Sequence, residues 1–333
     1  MAIQILESWD DGADASRMGP KNYVVDSAYG LHGDGIRLGD SPGGYFYPPV
    51  DGSATAIFGF AIYISTPGTG DKLIGLVGSS VELSYDSSNQ RLHASIRNGV
   101  ASYIDVYTAI NSMKVSRWHY IEVKFLTSTS SAGTWQMGID GSYTSETTGI
   151  DYYFPYDETR IGWSTSIYVT DFYVDDLYIA DTTGGVNDDF LGPIAVTVKL
   201  PDGNGNSSDL VGQDADSTDN YLNVDENPPD AGTTYNESGT EGDKDTYAME
   251  DITGSPTVIG LVATMYARRT QTGVKYARAV ARVNSTDYVG ATQSLGEGYG
   301  VVEEVFDENP DTSTAWTQTT FNGAEFGPEV RDS

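Results

Sequence analysis

The chain has no cysteine among its 333 residues, which excludes disulfide staples, thiol nucleophiles and thiolate-held zinc together. Histidine is nearly as scarce. His32, His93 and His119 lie far apart with no ligand-like neighbour at short spacing, so nothing positively suggests a histidine metal site or a Ser-His-Asp constellation. Positive charge is also in short supply: 18 Lys and Arg stand against 48 Asp and Glu, a formal net charge of −30. That balance makes nucleic-acid phosphates poor partners and favours solubility, at the cost of self-repulsion. No apolar run approaches the roughly 18 residues of a membrane-crossing helix, so no membrane insertion is expected. Residues 1 to 20 lack the basic start and apolar stretch of a secretory signal, so none is expected. Helical periodicity is almost absent.

What the chain does have is strand chemistry. It carries 38 Gly and 23 Tyr, with abundant Ser and Thr, and its apolar residues fall in short alternating runs. Residues 55 to 65, 72 to 77, 81 to 85 and 92 to 97 read as strands separated by Pro-Gly, Gly-Ser and Ser-Ser-Asn turns. Residues 118 to 126 alternate around Trp118 and Tyr120, and His119 is expected on the strand surface. A neighbouring strand runs over 134 to 139 and stops at Asp140-Gly141, which supplies the positive-φ positions of a tight hairpin. The expected fold is all-β, two tandem β-sandwiches of jelly-roll type, and the length suits two domains. Residues 181 to 189 are dense in turn formers and set the boundary, giving domains of 1 to 183 and 184 to 333. The first holds 10 basic and 22 acidic residues and the second 8 and 26, so the second is the more anionic. In the second domain 194 to 200 reads as a strand, 201 to 251 as mostly loop, and 257 to 268 with 274 to 283 as a strand pair. A further strand is expected over 300 to 306, then a terminal segment rich in turns.

The Trp-led strand, the strand ending in Asp-Gly, and the closing Phe172-Tyr173-Val174-Asp175-Asp176-Leu177-Tyr178-Ile179 together resemble the concanavalin A-like or laminin G-like jelly roll over residues 5 to 181. Lectins, glycosidases and adhesins share those motifs, so the resemblance speaks to fold. A second resemblance follows the boundary. Asn187-Asp188-Asp189-Phe190-Leu191-Gly192, Leu200-Pro201-Asp202-Gly203-Asn204-Gly205, Asp225-Glu226-Asn227-Pro228-Pro229-Asp230, Gly242-Asp243-Lys244-Asp245-Thr246-Tyr247-Ala248 and Ala315-Trp316 come in an order similar to that of a module in tailed-bacteriophage structural proteins. There it follows a comparable jelly roll. The resemblance implies a component of a particle, on its tail, fibre or capsid surface, with other virion proteins and copies of itself as expected partners; the missing signal and cysteines fit assembly in the host cytoplasm, and host-surface glycans are a further candidate partner.

Four groups of residues are site candidates. Asp202, Asn204, Asn206 and Asp209 alternate side-chain oxygens around glycines, as short loops do around Ca2+, although no bidentate Glu stands at the twelfth position. The simpler reading of that segment is an Asx-rich turn. Tyr45, Tyr47, Tyr152, Tyr153 and Tyr156 form aromatic clusters that suit a protein interface or a sugar platform. Arg268, Arg269, Lys275, Arg278 and Arg282 gather in one expected hairpin and suit an acidic neighbouring subunit, with a solvated strand face as the alternative. Glu303, Glu304, Asp307 and Glu308 are the nearest approach to a glycosidase carboxylate pair, but they read as a strand end entering a turn. The expectation is therefore a non-enzymatic virion protein. A free-standing carbohydrate-binding adhesin is the alternative, and a polysaccharide hydrolase comes third.

Overall fold

In the computed structural model the described residues are 3–9, 24–26, 30–38, 45–46, 55–66, 72–76, 80–152, 161–162, 170–270, 272 and 275–332. The chain divides into two compact units, one made of Ala2–Trp9 and Asp14–Thr197 and the other essentially Val198–Ser333. Both are built from antiparallel sheets, so the all-β reading holds. No helix among the described residues is long and apolar enough to cross a membrane.

The first unit contains β1 (Ile3–Glu7), β2 (Val24–Asp26), β3 (Gly35–Leu38), β4 (Tyr45–Phe46), β5 (Ala56–Thr66), β6 (Lys72–Leu76), β7 (Val81–Asp86) and β8 (Arg91–Asn98). It continues with β9 (Ser102–Tyr107), β10 (Trp118–Leu126), β11 (Gly133–Ile139), β12 (Ser142–Tyr143), β13 (Thr147–Ile150), β14 (Ile161–Gly162) and β15 (Thr170–Asp181). A nine-stranded sheet runs β12-β11-β10-β5-β15-β3-β2, with β1 on β15 and β13 on β11, and a four-stranded sheet runs β6-β7-β8-β9. Their inner faces merge into one apolar cluster. Phe58, Ile62, Ile121 and Val123 come from the large sheet, and Val81, Leu83, Leu92, Ala94 and Ile96 from the small one. The expected alternation is what makes this possible, because every second residue of β7 and β8 turns inward. The Asp140-Gly141 turn takes φ of 50° and 76° and closes β11 onto β12, as a two-residue hairpin of primed type requires.

Residues 187 to 197 form a strap on the outer face of the large sheet rather than a free linker. Phe190 stacks on Tyr143 at 4.3 Å, the Asp189 carboxylate meets Lys124 Nζ at 3.0 Å, and the Val196 amide donates to Asp176 at 2.7 Å. The reading of 194 to 200 as a strand is corrected here. The segment joins no ladder: the Val196 amide is met by Asp176, and the Leu200 carbonyl accepts from the Glu250 amide at 2.9 Å.

The second unit contains β16 (Pro201–Ser208), β17 (Val211–Gly212), β18 (Asn236–Glu237), β19 (Asp245–Met249), β20 (Leu261–Ala267), β21 (Lys275–Val283), β22 (Thr286–Val289), β23 (Gln293–Leu295), β24 (Gly300–Phe306), α1 (Gln318–Asn322) and β25 (Glu325–Arg331). A six-stranded sheet runs β16-β19-β25-β21-β22 with β23 on β21, and β20 pairs with β24 in a separate ribbon. Ala279, Ala281, Val283, Phe306, Trp316, Phe321 and Phe326 form its core. Two expectations change. The segment 257 to 283 is no hairpin, because β20 and β21 belong to different sheets, and the terminal segment supplies the central strand β25.

Candidate functional site

Outward-facing residues of β7, β8 and β9 bring a hydroxyl, an imidazole, a carboxylate, a guanidinium and two phenols to one sheet face. Antiparallel register sets Ser84 across from His93, His93 across from Tyr107, and Ser95 across from Asp105. Because Ser84, His93 and Asp105 stand on three adjacent strands with the same outward phase, their side chains meet. His93 Nε2 lies 2.8 Å from Asp105 Oδ1, and His93 Nδ1 lies 3.3 Å from Ser84 Oγ, which is also 3.3 Å from the His93 carbonyl oxygen. The imidazole stacks on Tyr107 at 4.4 Å, and the Arg91 guanidinium sits 4.0 Å from the centre of that ring. Arg91 is fixed in turn by Asp86 at 2.9 Å, and hydrogen bonds from Asn89 and Arg91 hold the Asp86 carboxyl below its usual range. Tyr103, 63% exposed, completes the face on β9 opposite Arg97. Aromatic faces, both signs of charge and a hydroxyl thus share one sheet face.

A second polar cluster lies on the outer side of the large sheet around a buried carboxyl, with Tyr143 reaching the surface. The Glu122 carboxyl, 1% exposed, accepts from Tyr178 Oη at 2.5 Å, Tyr143 Oη at 2.6 Å and the Gly192 amide at 2.9 Å. Burial first and Glu122 second push both phenols well above the ordinary tyrosine range, so they remain donors. Gly59 makes this possible, since a Cβ there would stand 2.0 Å from the Tyr178 ring. Nearby, Asp175 and Asp176 are both fully buried where β15 bulges and Asp176 takes φ of 50°. Asp175 accepts from the Leu31 and His32 amides at 2.6 and 3.0 Å, and Asp176 lies 2.6 Å from His32 Nδ1. Burial, then the charge of Asp176, pushes the Asp175 carboxyl up to about 6. This chemistry serves the strap and the loop at 31 to 33.

The sequence candidates are placed differently. Asp202, Asn204 and Asn206 lie on strand β16, all turned to its exposed side, instead of around a loop. Alternation separates them along the strand, and Gly205 between two of them serves close packing: a Cβ there would meet Glu325 Oε2 at 2.4 Å and the Thr246 carbonyl at 2.5 Å. Asp209 accepts from the Lys244 amide at 3.3 Å. Among the described residues no group of three or more His, Asp or Glu side chains is gathered as a metal site.

Tyr152 is not a platform. It is fully buried in the first core and donates to the Thr134 carbonyl at 2.8 Å, because its bridge to Asn98 turns the ring inward. Tyr47, Tyr153 and Tyr156 lie outside the described residues, as does the side chain of Tyr45. The basic residues have partners within the chain. Arg278 forms a forked pair with Glu329 at 2.8 and 3.1 Å, Arg282 meets Asp287 at 2.5 Å, Arg269 meets Glu297 at 3.0 Å, Lys275 pairs with Asp332, and Arg268 lies over Tyr299 at 4.6 Å. Their concentration matches the acids of their own unit. Glu303 and Glu304 are neighbours on β24 and so point to opposite sides, which removes them as a facing pair. Asp307 is buried and Glu308 follows it beyond the strand end. His119, expected on the surface, is 3% exposed, donating toward Asp140 at 2.8 Å and accepting from the Lys114 amide at 2.9 Å.

No protein-family model and no curated protein matches the sequence. Among solved structures, the chain is similar to an endo-β-1,4-glucuronan lyase from the fungus Trichoderma reesei at 11% identity and a TM-score of 0.40, over 54% of this chain and 95% of that one. It is also similar to the alginate lyase vAL-1 from Chlorella virus, at 13% identity and 0.38, over 48% and 89%. The botulinum neurotoxin type G receptor-binding domain aligns over 97% of this chain and 84% of its own, at 13% identity and 0.39. These likenesses are too distant to assign an activity. They do correct one expectation: lyases are among the structures resembled, so the fold gives no ground for the expected absence of enzymatic activity. The phage resemblance gains no support from these comparisons and rests on the loop motifs alone.

Proposed function

We propose that the chain binds carbohydrate on the outer face of β7, β8 and β9, and that it does so as a component of a tailed-phage virion. The observation that carries the binding reading is the row of Tyr103, Tyr107, His93, Arg91 and Asp105 on one exposed sheet face. A sugar presents an apolar face of C–H groups and a rim of hydroxyls. An exposed phenol ring meets the first, and neighbouring donors and acceptors in fixed positions meet the second. The row supplies both on a rigid sheet, which limits the ordering penalty of binding. The net charge of −30 repels polyanions at long range, and the face pairs its own charges, so a neutral glycan suits it better than an acidic one. The virion reading is supported by the ordered loop motifs after Asp181.

A glycan array probed with the full chain tests the first part. Micromolar binding to neutral glycans is expected, weakened about tenfold or more in Tyr103→Ala, in line with the 1–3 kcal/mol of a stacked ring. Silence across the array, or binding indifferent to Tyr103, would overturn it. Mass spectrometry of purified particles from a producing host tests the second part. Failure to find the chain in any particle removes the virion reading and leaves a free-standing adhesin.

A further inference from the structure

We infer that Ser84, His93 and Asp105 form a nucleophile–base–acid relay that removes ester-linked acyl groups from the glycan bound on the same face. The substrate class rests on the carbohydrate reading above, whereas the chemistry rests on the geometry of three side chains. The hydrogen bond between Asp105 Oδ1 and His93 Nε2 at 2.8 Å places the ring proton on Nε2. Nδ1 is then left with a lone pair 3.3 Å from Ser84 Oγ, whose proton has the His93 carbonyl oxygen, also at 3.3 Å, as its other acceptor and turns to Nδ1 for the reaction. An imidazole whose far nitrogen is tied to a carboxylate and whose near nitrogen faces a hydroxyl is the arrangement that activates serine. Tyr107 stacked at 4.4 Å holds the ring plane, and Arg91 adds positive charge beside it. The three groups sit on strands, which position them more tightly than loops do.

In the reaction Ser84 Oγ adds to the ester carbonyl carbon while its proton passes to His93 Nδ1. The tetrahedral intermediate collapses, the bond from the carbonyl carbon to the sugar oxygen breaks, and that oxygen takes the proton from His93. Water then adds to the acyl-serine, giving a proton to His93. Collapse of this second intermediate releases the carboxylic acid and returns the proton to Ser84. Amides of β7 and β8 are engaged in the ladder, so no pair of backbone donors is free there to hold the oxyanion, and slow turnover is expected.

The test uses the full chain and 4-nitrophenyl acetate, followed by phenylmethylsulfonyl fluoride and peptide mass spectrometry. Nitrophenolate release above that of equimolar free imidazole is expected, reduced by about 100-fold in Ser84→Ala and in Asp105→Asn. The sulfonyl group should appear on Ser84. That labelling reads the nucleophile directly in the unaltered protein, so it decides the matter even where a variant fails to fold. Release no faster than imidazole, insensitivity to Ser84→Ala, or absence of label on Ser84 would falsify the relay. Acetate release from an O-acetylated neutral glycan separates the two readings. If the small ester is turned over and the glycan is not, the carbohydrate reading fails while the relay stands. If glycan binds and neither ester is cleaved, the relay fails alone.

Discussion

The two units solve the same problem with different materials. Among the described residues the apolar cluster of the first contains 26 buried side chains and that of the second contains nine. The second compensates with charge and hydrogen bonding. Asp245, fully buried, accepts from the Leu210 amide, Asn220 and Tyr247 at 2.9, 2.6 and 3.0 Å. In the same unit, Asp287 gathers Lys244 and Arg282, which together hold its carboxyl below the usual range against the opposing effect of burial. A small sandwich with little apolar surface can thus reach a fixed structure when most of its buried polar groups are met, Asn220 Oδ1 and Arg331 Nε being buried atoms that are not. The scarcity of basic residues sharpens the point, because nearly every one in the second unit has an acidic partner in place.

The comparison can be broken at the core first. Phe58→Ala removes a fully buried ring that stacks on Phe125 at 5.8 Å, and the expected loss is about 3–5 kcal/mol. Urea unfolding with hydrogen exchange on β5 and β10 peptides checks it, and a loss below about 1 kcal/mol would mean packing does not dominate the first unit. Next in size is Arg278→Met, which leaves the largely buried Glu329 without its forked partner. A loss of about 2–3 kcal/mol is expected, read as faster exchange in β21 and β25. An unchanged exchange rate would show the second unit is held by its apolar cluster after all.

The smallest effect concerns pH. With the Asp175 carboxyl pushed up to about 6 and an unfolded value near 3.9, the folded state holds the proton more tightly. Stability from this group is therefore present below about pH 4 and is lost as pH rises through about 6, by roughly 2 kcal/mol, the roughly 3 kcal/mol of the full pKa difference being reduced by solvent screening. Asp175→Asn should lose that slope relative to the parent in urea titrations between pH 4 and 7. Parallel slopes for the two proteins would contradict the assignment.

The strands of the first unit were legible because their side chains alternate and their turns carry Gly, Asn and Asp. Residues 118 to 126 and the Asp140-Gly141 hairpin are the clearest cases. The second unit was harder to read because its signals invert: residues 201 to 208 have loop composition yet form a strand, and Gly205 there admits Thr246 and Glu325 to close range. Residues 194 to 200 show the converse, a strand pattern without a ladder. Tyr152 and His119 were misplaced because a polar tip does not reveal whether a buried carbonyl or carboxylate waits for it. The face of β7, β8 and β9 was hidden for another reason: Ser84, His93 and Asp105 meet only once the register of two hairpins is known.

The strap over Glu122 bears on where this protein could be divided or exchanged. Composition suggests a seam after Asp181, but a cut there would strip the Gly192 amide from a buried carboxyl and uncover the ring of Tyr143. The transferable module ends after Thr197. Recombination upstream of that point would carry off part of the first fold's own lid and leave an anionic, sticky wound on its surface.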